Sequence, residues 1–379
     1  MGLSLMYDVI VIGAGPAGSV TARTVARAGY KVLILEKNET CRSPCAGYIS
    51  KTINIEMPDG CILQSTIKKM RTYFPDLSYH DFELNGFVVD RPSFDMGLLS
   101  EAVGSGVEIG WNSPMVDISP ISPVQPSSID QAELVIQSDS IGQEGSAVQQ
   151  SRISPCNVKF RSNNAPGKII VGADGVFSKT ASLIGLQQQR FAACAQYHIK
   201  GFEVIPQTCE IFFNTDFAPG GYIWIYPTGK NSAKVGLGMI RGNKSPRENL
   251  DAFIIGIAHR IYGEKTEYVA GALPIGGLRE KLIFDNILLA GDSAGMADPI
   301  TGAGINNAML SGELAGKTII EALENDDMAQ LFQYETRIKK LFGRPLGRAL
   351  EKRKKMDACC NNKLLQEHLP ELWMTFNRE

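Results

Sequence analysis

The stretch Tyr7-Asp-Val-Ile-Val-Ile-Gly-Ala-Gly-Pro-Ala-Gly18 constrains this chain more than any other. A β-branched apolar run reads as a buried strand, and it opens into Gly13-x-Gly15-x-x-Gly18 ahead of "SVTARTVARAGY", whose helical periodicity ends at Gly29. "KVLILEK", Lys31 to Lys37, supplies a second strand and completes a βαβ unit. The three glycines permit a tight turn, close approach of backbone to a pyrophosphate, and close packing of helix on strand. The helix N-terminus then turns its unpaired N–H groups toward the phosphates. Glu36 ends the second strand 21 residues after Gly15, placed to accept from ribose hydroxyls. The unit predicts a dinucleotide cradle built from Gly13, Ala14, Gly15, Pro16, Ala17, Gly18, Glu36 and Lys37. The plainer alternative is a glycine-rich turn beside a surface Glu.

With 379 residues, 44 % of them apolar, the chain has enough length and apolar content for one large or two ordinary domains. Its 38 Lys and Arg nearly balance 40 Asp and Glu, so nothing in the overall charge points to a nucleic-acid partner. No secretory signal pattern precedes Tyr7, and no apolar run approaches the roughly 18–20 residues that span a bilayer. The expectation is a cytoplasmic protein, either free or peripheral to a membrane. In that compartment the eight cysteines should be mostly reduced. Their spacings give no paired CxxC sets, and only four histidines are present, so no metal site is expected.

Further along, "GFVVDRPSFDMGLLSEAVGSGVEI" reads as strand, turn, helix and strand. Residues 119–156 differ from their surroundings: nine Ser, six Gln and four Pro make up half of the 38 positions. They predict a polar surface excursion, with a hairpin at 133–138 and 157–160. "KIIVGADG" returns to the core. Residues 190–274 shift to β-rich segments with one helix, "RENLDAFIIGIAHRIYG", and predict a separate antiparallel sheet. "NILLAGDSAG" rejoins the first domain as a buried strand, and helices follow over 304–325, 326–358 and after Asn361.

Several of these segments together carry a family resemblance. "GADGVFS" (172–178) and "LLAGDSAGMADPITGAGINNAM" (288–309) resemble the second and third fingerprints of the glutathione-reductase-type FAD fold, in the branch containing aromatic hydroxylases and geranylgeranyl reductases. "GGYIWIYP" is similar to the Y-x-W-x-F-P segment of geranylgeranyl reductases, with Tyr222, Trp224 and Pro227 matching and Tyr226 in place of Phe. "GALPIGG" (271–277) matches as well, and "SPCAGYIS" resembles the family's cysteine loop at Cys45. The resemblance, which covers roughly 6–55, 86–118 and 168–320, implies an α/β fold with a Rossmann-like FAD-binding domain and an antiparallel-sheet α+β substrate domain; with the residue pattern, the expected bounds are 1–118, 157–189 and 275–325 for the discontinuous first domain, 190–274 for the second and 326–379 for C-terminal helices. It implies FAD as cofactor, contacted by Cys45, Ala46, Arg91, Ala173, Asp174, Gly175, Gly291, Asp292, Gly302, Gly304 and Ile305 besides the first cradle. One departure is Thr180 after Lys179, where Arg is common.

The activity implied is saturation of isoprenoid chains, most closely those of archaeal digeranylgeranyl ether phospholipids, with hydride from reduced flavin and a proton from the site. Cys45 is the first candidate near that proton, with Tyr48, Tyr222 and Trp224 behind it. An inert buried cysteine, and aromatics that merely fill a core, are the alternatives. No second glycine fingerprint follows, so the electron donor, whether NADPH, ferredoxin or a reduced deazaflavin, docks without a dedicated dinucleotide domain. The segment 337–355, with nine basic residues and one acidic, either rests on an anionic membrane surface or is a solvated helix. Rival readings on the same fold are a flavin monooxygenase or halogenase, and a non-catalytic prenyl-binding protein. A halogenase usually shows W-x-W-x-I-P, and "GYIWIYP" holds only one of those tryptophans.

Overall fold

A computed structural model describes residues 6–51, 56–120 and 154–373. Along the chain run β1 (Tyr7–Ile12), α1 (Pro16–Arg27), β2 (Val32–Leu35), β3 (Tyr48–Ser50), β4 (Leu63–Tyr73), β5 (Tyr79–Val89), α2 (Arg91–Gly104) and β6 (Glu108–Gly110). Next come β7 (Met115–Pro120), β8 (Cys156–Phe160), β9 (Asn163–Gly172), α3 (Lys179–Leu183), β10 (Phe191–Phe202), β11 (Thr208–Phe212), β12 (Tyr222–Gly229) and β13 (Ser232–Met239). The rest is α4 (Pro246–Gly256), β14 (Ile261–Pro274), β15 (Ile283–Phe284), β16 (Ile287–Leu289), α5 (Ile305–Glu324), α6 (Phe332–Ile338), α7 (Arg344–Ala358) and α8 (Asn362–Leu372).

The first sheet has the order β15-β16-β9-β1-β2-β6, parallel from β16 to β6. Its central strands are covered on both faces, as parallel strands are. Val9, Ile10, Val11 and Ile34 are fully buried, and each contributes about 1.5–3 kcal/mol by leaving water. Helix α5 crosses α1 so closely that a Cβ on Gly312 would lie 2.4 Å from the Ala17 carbonyl oxygen, and Thr21 Oγ1 donates to the Gly312 carbonyl at 3.1 Å. The strand expected at 157–160 is present as β8, which pairs with β7 and β9; its expected hairpin partner at 133–138 lies outside the described residues.

The second sheet has the order β14-β10-β13-β12-β11-β4-β5-β3. It is antiparallel except where β11 runs parallel to β4. Three of its strands come from residues 48–89, which the sequence grouped with the first domain. The two domains are therefore threaded through each other. Along β12 the pleat divides the side chains: Ile223 and Ile225 pack with Val235, Leu237 and helix α4 on one face, while Tyr222, Trp224 and Tyr226 stand on the other. Helix α4 begins at a capping box in which Ser245 and Glu248 satisfy each other's backbone N–H groups. The aromatic face meets the C-terminal α8, whose Leu365, Leu369 and Leu372 pack there with Trp373.

Candidate active site

The turn after β1 builds the first wall of a cleft of about 240 Å³. Gly13 has φ +103°, and a Cβ there would collide with the Ala173 carbonyl at 2.4 Å. A Cβ on Gly18 would lie 2.0 Å from the Gly13 carbonyl, whereas one on Gly15 would meet nothing within 4 Å. Gly15 faces open space at the N-terminus of α1, with Pro16 in the first turn and Ala17 buried behind it. Glu36 lines the cleft, and its carboxylate accepts from Ala14 N at 3.0 Å and Asn38 Nδ2 at 2.7 Å. Ala14, Lys37, Ala173, Asp174 and Gly175 line the same cleft, so the first and second fingerprints converge. Asp174 accepts from Ser178 Oγ at 2.6 Å and from Thr180 N at 2.9 Å, which fixes its loop. The departure at position 180 has a steric reason: Thr180 is fully buried, and its hydroxyl also reaches Asp174.

Cys41, unmatched in the family pattern, lines this cleft as well. Burial, and then the Asp95 and Glu36 carboxylates, push its thiol up to about 12, so it is neutral.

The third fingerprint packs against the start of α1, beside the first. Gly291 takes φ +66°, donates its N–H to Ser311 Oγ, and a Cβ there would lie 2.9 Å from that of Ala17. Burial raises Asp292 to about 6, with Arg91 opposing the shift. Among the described residues no donor reaches the Asp292 carboxylate. Two buried acceptors beside these loops lack partners: Gln189 Oε1, whose amide donates to the Asp292 carbonyl, and Asn306 Oδ1, whose amide donates to the Ser50 carbonyl. Asn306 sits in the first turn of α5, where Gly304 caps the helix, Ile305 is buried, and the leading N–H groups have no intrahelical acceptor. Gly302 turns the chain into this helix at φ +70°.

The cysteine loop closes over this region. Gly47 has φ +89° and approaches Val89 so closely that a Cβ would lie 2.3 Å from its carbonyl oxygen, while Pro44 packs onto Gly271 of β14. Cys45 is half-buried, and its sulfur accepts from Gly47 N at 3.4 Å. The sulfur also lies within hydrogen-bonding reach of the Arg91 guanidinium. Arg91 is buried, not a surface residue, and grips both oxygens of buried Asp95 at 2.9 Å. Desolvation works against its charge, but Asp95 and then Cys45 more than offset that and raise its pKa.

Across from the loop stands the aromatic face. Tyr222 donates its hydroxyl to the Thr301 carbonyl and so ties β12 to the turn before α5. Trp224 donates Nε1 to Gln196 at 3.0 Å, and its ring lies over Gly236, where a Cβ would be 2.5 Å away. Tyr48 stacks on Tyr226, with ring centroids 5.9 Å apart and 7° between planes. Burial raises the phenols of Tyr48 and Tyr222 far from neutrality. The Tyr222 hydroxyl proton is engaged by the Thr301 carbonyl.

Three features escaped the sequence. Trp373 packs edge-on to Tyr222 at 5.4 Å and walls the aromatic face. Asn306 carries one of the unpartnered acceptors. Lys234 of β13 is 7 % exposed and donates to the Ala46 carbonyl at 3.1 Å, tying the buried Ala46 and the cysteine loop to the second sheet. The available signal for it was a single charge inside the apolar run "SAKVGLGM".

Residues 191–272 match the geranylgeranyl reductase catalytic domain, and residues 7–70 match the pyridine nucleotide-disulphide oxidoreductase family. The chain is 32 % identical to digeranylgeranylglycerophospholipid reductase 1 of Methanococcoides burtonii, covering 91 % of this chain and 82 % of that protein. It is also 32 % identical to reductase 1 of the same name from Methanopyrus kandleri, covering 86 % and 84 %. In structure it resembles a geranylgeranyl bacteriochlorophyll reductase-like protein of Thermoplasma acidophilum (TM-score 0.79, 24 % identity, 99 % and 94 % coverage). The flavin-dependent halogenase CmlS shares the fold at 15 % identity (TM-score 0.67, 94 % and 66 % coverage).

Fold, cradle and matches together define an FAD-dependent oxidoreductase with a nucleotide sheet and a substrate sheet. The cradle suits that cofactor: the open side of Gly15 admits a pyrophosphate, and the unpartnered Gln189 and Asn306 oxygens suit hydroxyl and N–H donors of the kind FAD carries. The chain belongs to the geranylgeranyl reductase family.

Proposed function

We propose that this protein saturates carbon–carbon double bonds in the geranylgeranyl chains of a digeranylgeranyl glycerophospholipid. The observation that carries the reading is that Cys45 packs against the cluster holding Ile305 and Met309 of α5, at whose N-terminal end Tyr222 of the aromatic face of β12 ties to Thr301. The names of the relatives support the substrate.

An isolated trisubstituted alkene accepts hydride poorly, so one carbon needs a hydride and the other a proton. When bound, reduced FAD supplies the hydride. The Cys45 thiol holds the proton, and the Arg91 guanidinium beside its sulfur stabilises the negative charge left after transfer. Tyr222 holds the turn before α5 through Thr301, and Trp224, Tyr226 and Tyr48 line an apolar wall that excludes water. A halogenase reading has no comparable support, since likeness at 15 % identity speaks for the fold alone.

The electron donor, from the classes NADPH, ferredoxin or reduced deazaflavin, meets the protein without a second dinucleotide-binding unit among the described residues. No described helix is long and apolar enough to cross a membrane. The exposed basic face of α7 supports docking on an anionic lipid surface, because the inner side of the same helix places Met356 in the aromatic cluster.

Cys45→Ala tests the central assignment. FAD binding and flavin reduction should persist while alkene reduction falls at least tenfold, by the usual contribution of a positioned proton donor, ~10²–10⁴. Unchanged alkene reduction would remove Cys45 from the mechanism.

A further inference from the structure

Each saturated bond consumes one proton, and a lipid with several double bonds needs the donor refilled between them. On the reading of Cys45 given above, the thiol becomes a thiolate after each transfer. The two cations near it differ in what they offer. Arg91 cannot be deprotonated in a protein, so it stabilises the thiolate but returns nothing. A lysine shifts its pKa readily when buried, so its ammonium can give up a proton and take one back.

Lys234 is that lysine. It rises from the face of β13 that also carries the aromatic ladder, opposite Tyr226 of β12 and His198 of β10 in register. Its ammonium donates to the carbonyl of Ala46, the residue next to Cys45, and lies 3.5 Å from the Val89 carbonyl, which leaves a third N–H uncommitted to either. The groups facing it come from every neighbouring element: Cys45 of the loop, Asp90 and Arg91 at the start of α2, Glu267 of β14, and His198 of β10. Burial depresses its pKa, with Cys45 and Asp90 opposing the shift. Toward solvent, His198 Nε2 pairs with Thr228 Oγ1 at 3.0 Å, and that hydroxyl donates to Ser232 Oγ at 3.0 Å.

We propose that Lys234 is the positioning residue that reprotonates Cys45 between successive bond reductions. In each cycle the alkene gains a hydride from the reduced cofactor and a proton from the Cys45 S–H bond, which leaves a thiolate. A Lys234 N–H bond then breaks as the thiolate takes its proton, leaving a neutral amine. The amine recovers a proton from solvent on the His198 side, and the net input per bond is one hydride and one solvent proton.

The test uses Lys234→Met, which removes the proton, and Lys234→Arg, which keeps a charge and a donor to Ala46 but cannot release a proton. With dithionite in excess, rapid-quench assays of both variants should show a burst of one reduced bond per enzyme, then a steady rate at least tenfold below the wild type. The wild type should show no burst. In FAD-free protein, the pH midpoint for iodoacetamide alkylation of Cys45, read on its own peptide, should rise by about one unit in Lys234→Met and stay put in Lys234→Arg. A merely structural lysine would lower the burst itself in Lys234→Met and be rescued by arginine. Steady rates equal to wild type in both variants, with Cys45→Ala inactive, overturn the relay alone. A Cys45→Ala protein that turns over normally overturns the Cys45 reading, and the relay with it.

Discussion

Asp292 shows what the cofactor cradle asks of a single residue. Its carboxylate is raised to about 6 by burial, against the pull of Arg91, and no described donor of the chain relieves it. Because the folded pKa lies above the unfolded one, this group favours the folded state most below the ordinary carboxylate range. That contribution is lost as pH rises from about 4 through about 6 and changes little above. Thermal melting of FAD-free protein across this range should show the loss, and Asp292→Asn should flatten it. Identical pH profiles for both proteins would contradict the assignment. Residues of this kind were legible from sequence where the requirement is local. Gly13 and Gly18 declare themselves because a Cβ would strike a neighbouring carbonyl, whatever the rest of the chain does. Lys234 did not, since its role arises from contact with Ala46, 188 positions away.

At the scale of elements, β1, α1 and β2 announced themselves by period and turn chemistry, and the alternation of β12 was readable as two faces. The assignment of β3, β4 and β5 to the second sheet was not. It depends on β4 running parallel to β11, a pairing between Lys69 and Thr208 that no local pattern encodes. Helix α7 and the turn before it combine both kinds of information. Leu346, Ala349 and Met356 face inward, while Lys340, Leu341, Arg344, Arg348 and Lys355 are exposed. The whole chain carries −2, so the rest of the molecule is net acidic and this face stands apart. The protein should co-sediment with anionic phospholipid vesicles and less with neutral ones. The triple variant Lys340→Glu, Arg344→Glu, Arg348→Glu should weaken that binding at least tenfold, at about 1 kcal/mol per basic residue removed. Equal binding to both vesicle types would show that this face is simply solvated.

For the whole molecule, the two sheets divide the work. The parallel sheet presents glycine turns and helix N-termini to a nucleotide, and the second sheet turns an aromatic face toward the same place. The loop from Pro44 to Gly47 is braced by Gly271, Lys234 and Val89 of the second sheet and by Arg91 of α2, and its Cys45 packs against the cluster holding Ile305 and Met309 of α5. A thiol held there against an apolar cluster suits an unactivated alkene, which must leave water to reach it. The most direct measurement is anaerobic incubation of the dithionite-reduced protein, loaded with FAD, with a digeranylgeranyl glycerophospholipid, followed by mass spectrometry of the lipid. The mass should rise in steps of two hydrogens for each double bond saturated, and the steps should vanish without FAD. A lipid recovered unchanged beside fully reduced, substrate-saturated protein would contradict the account.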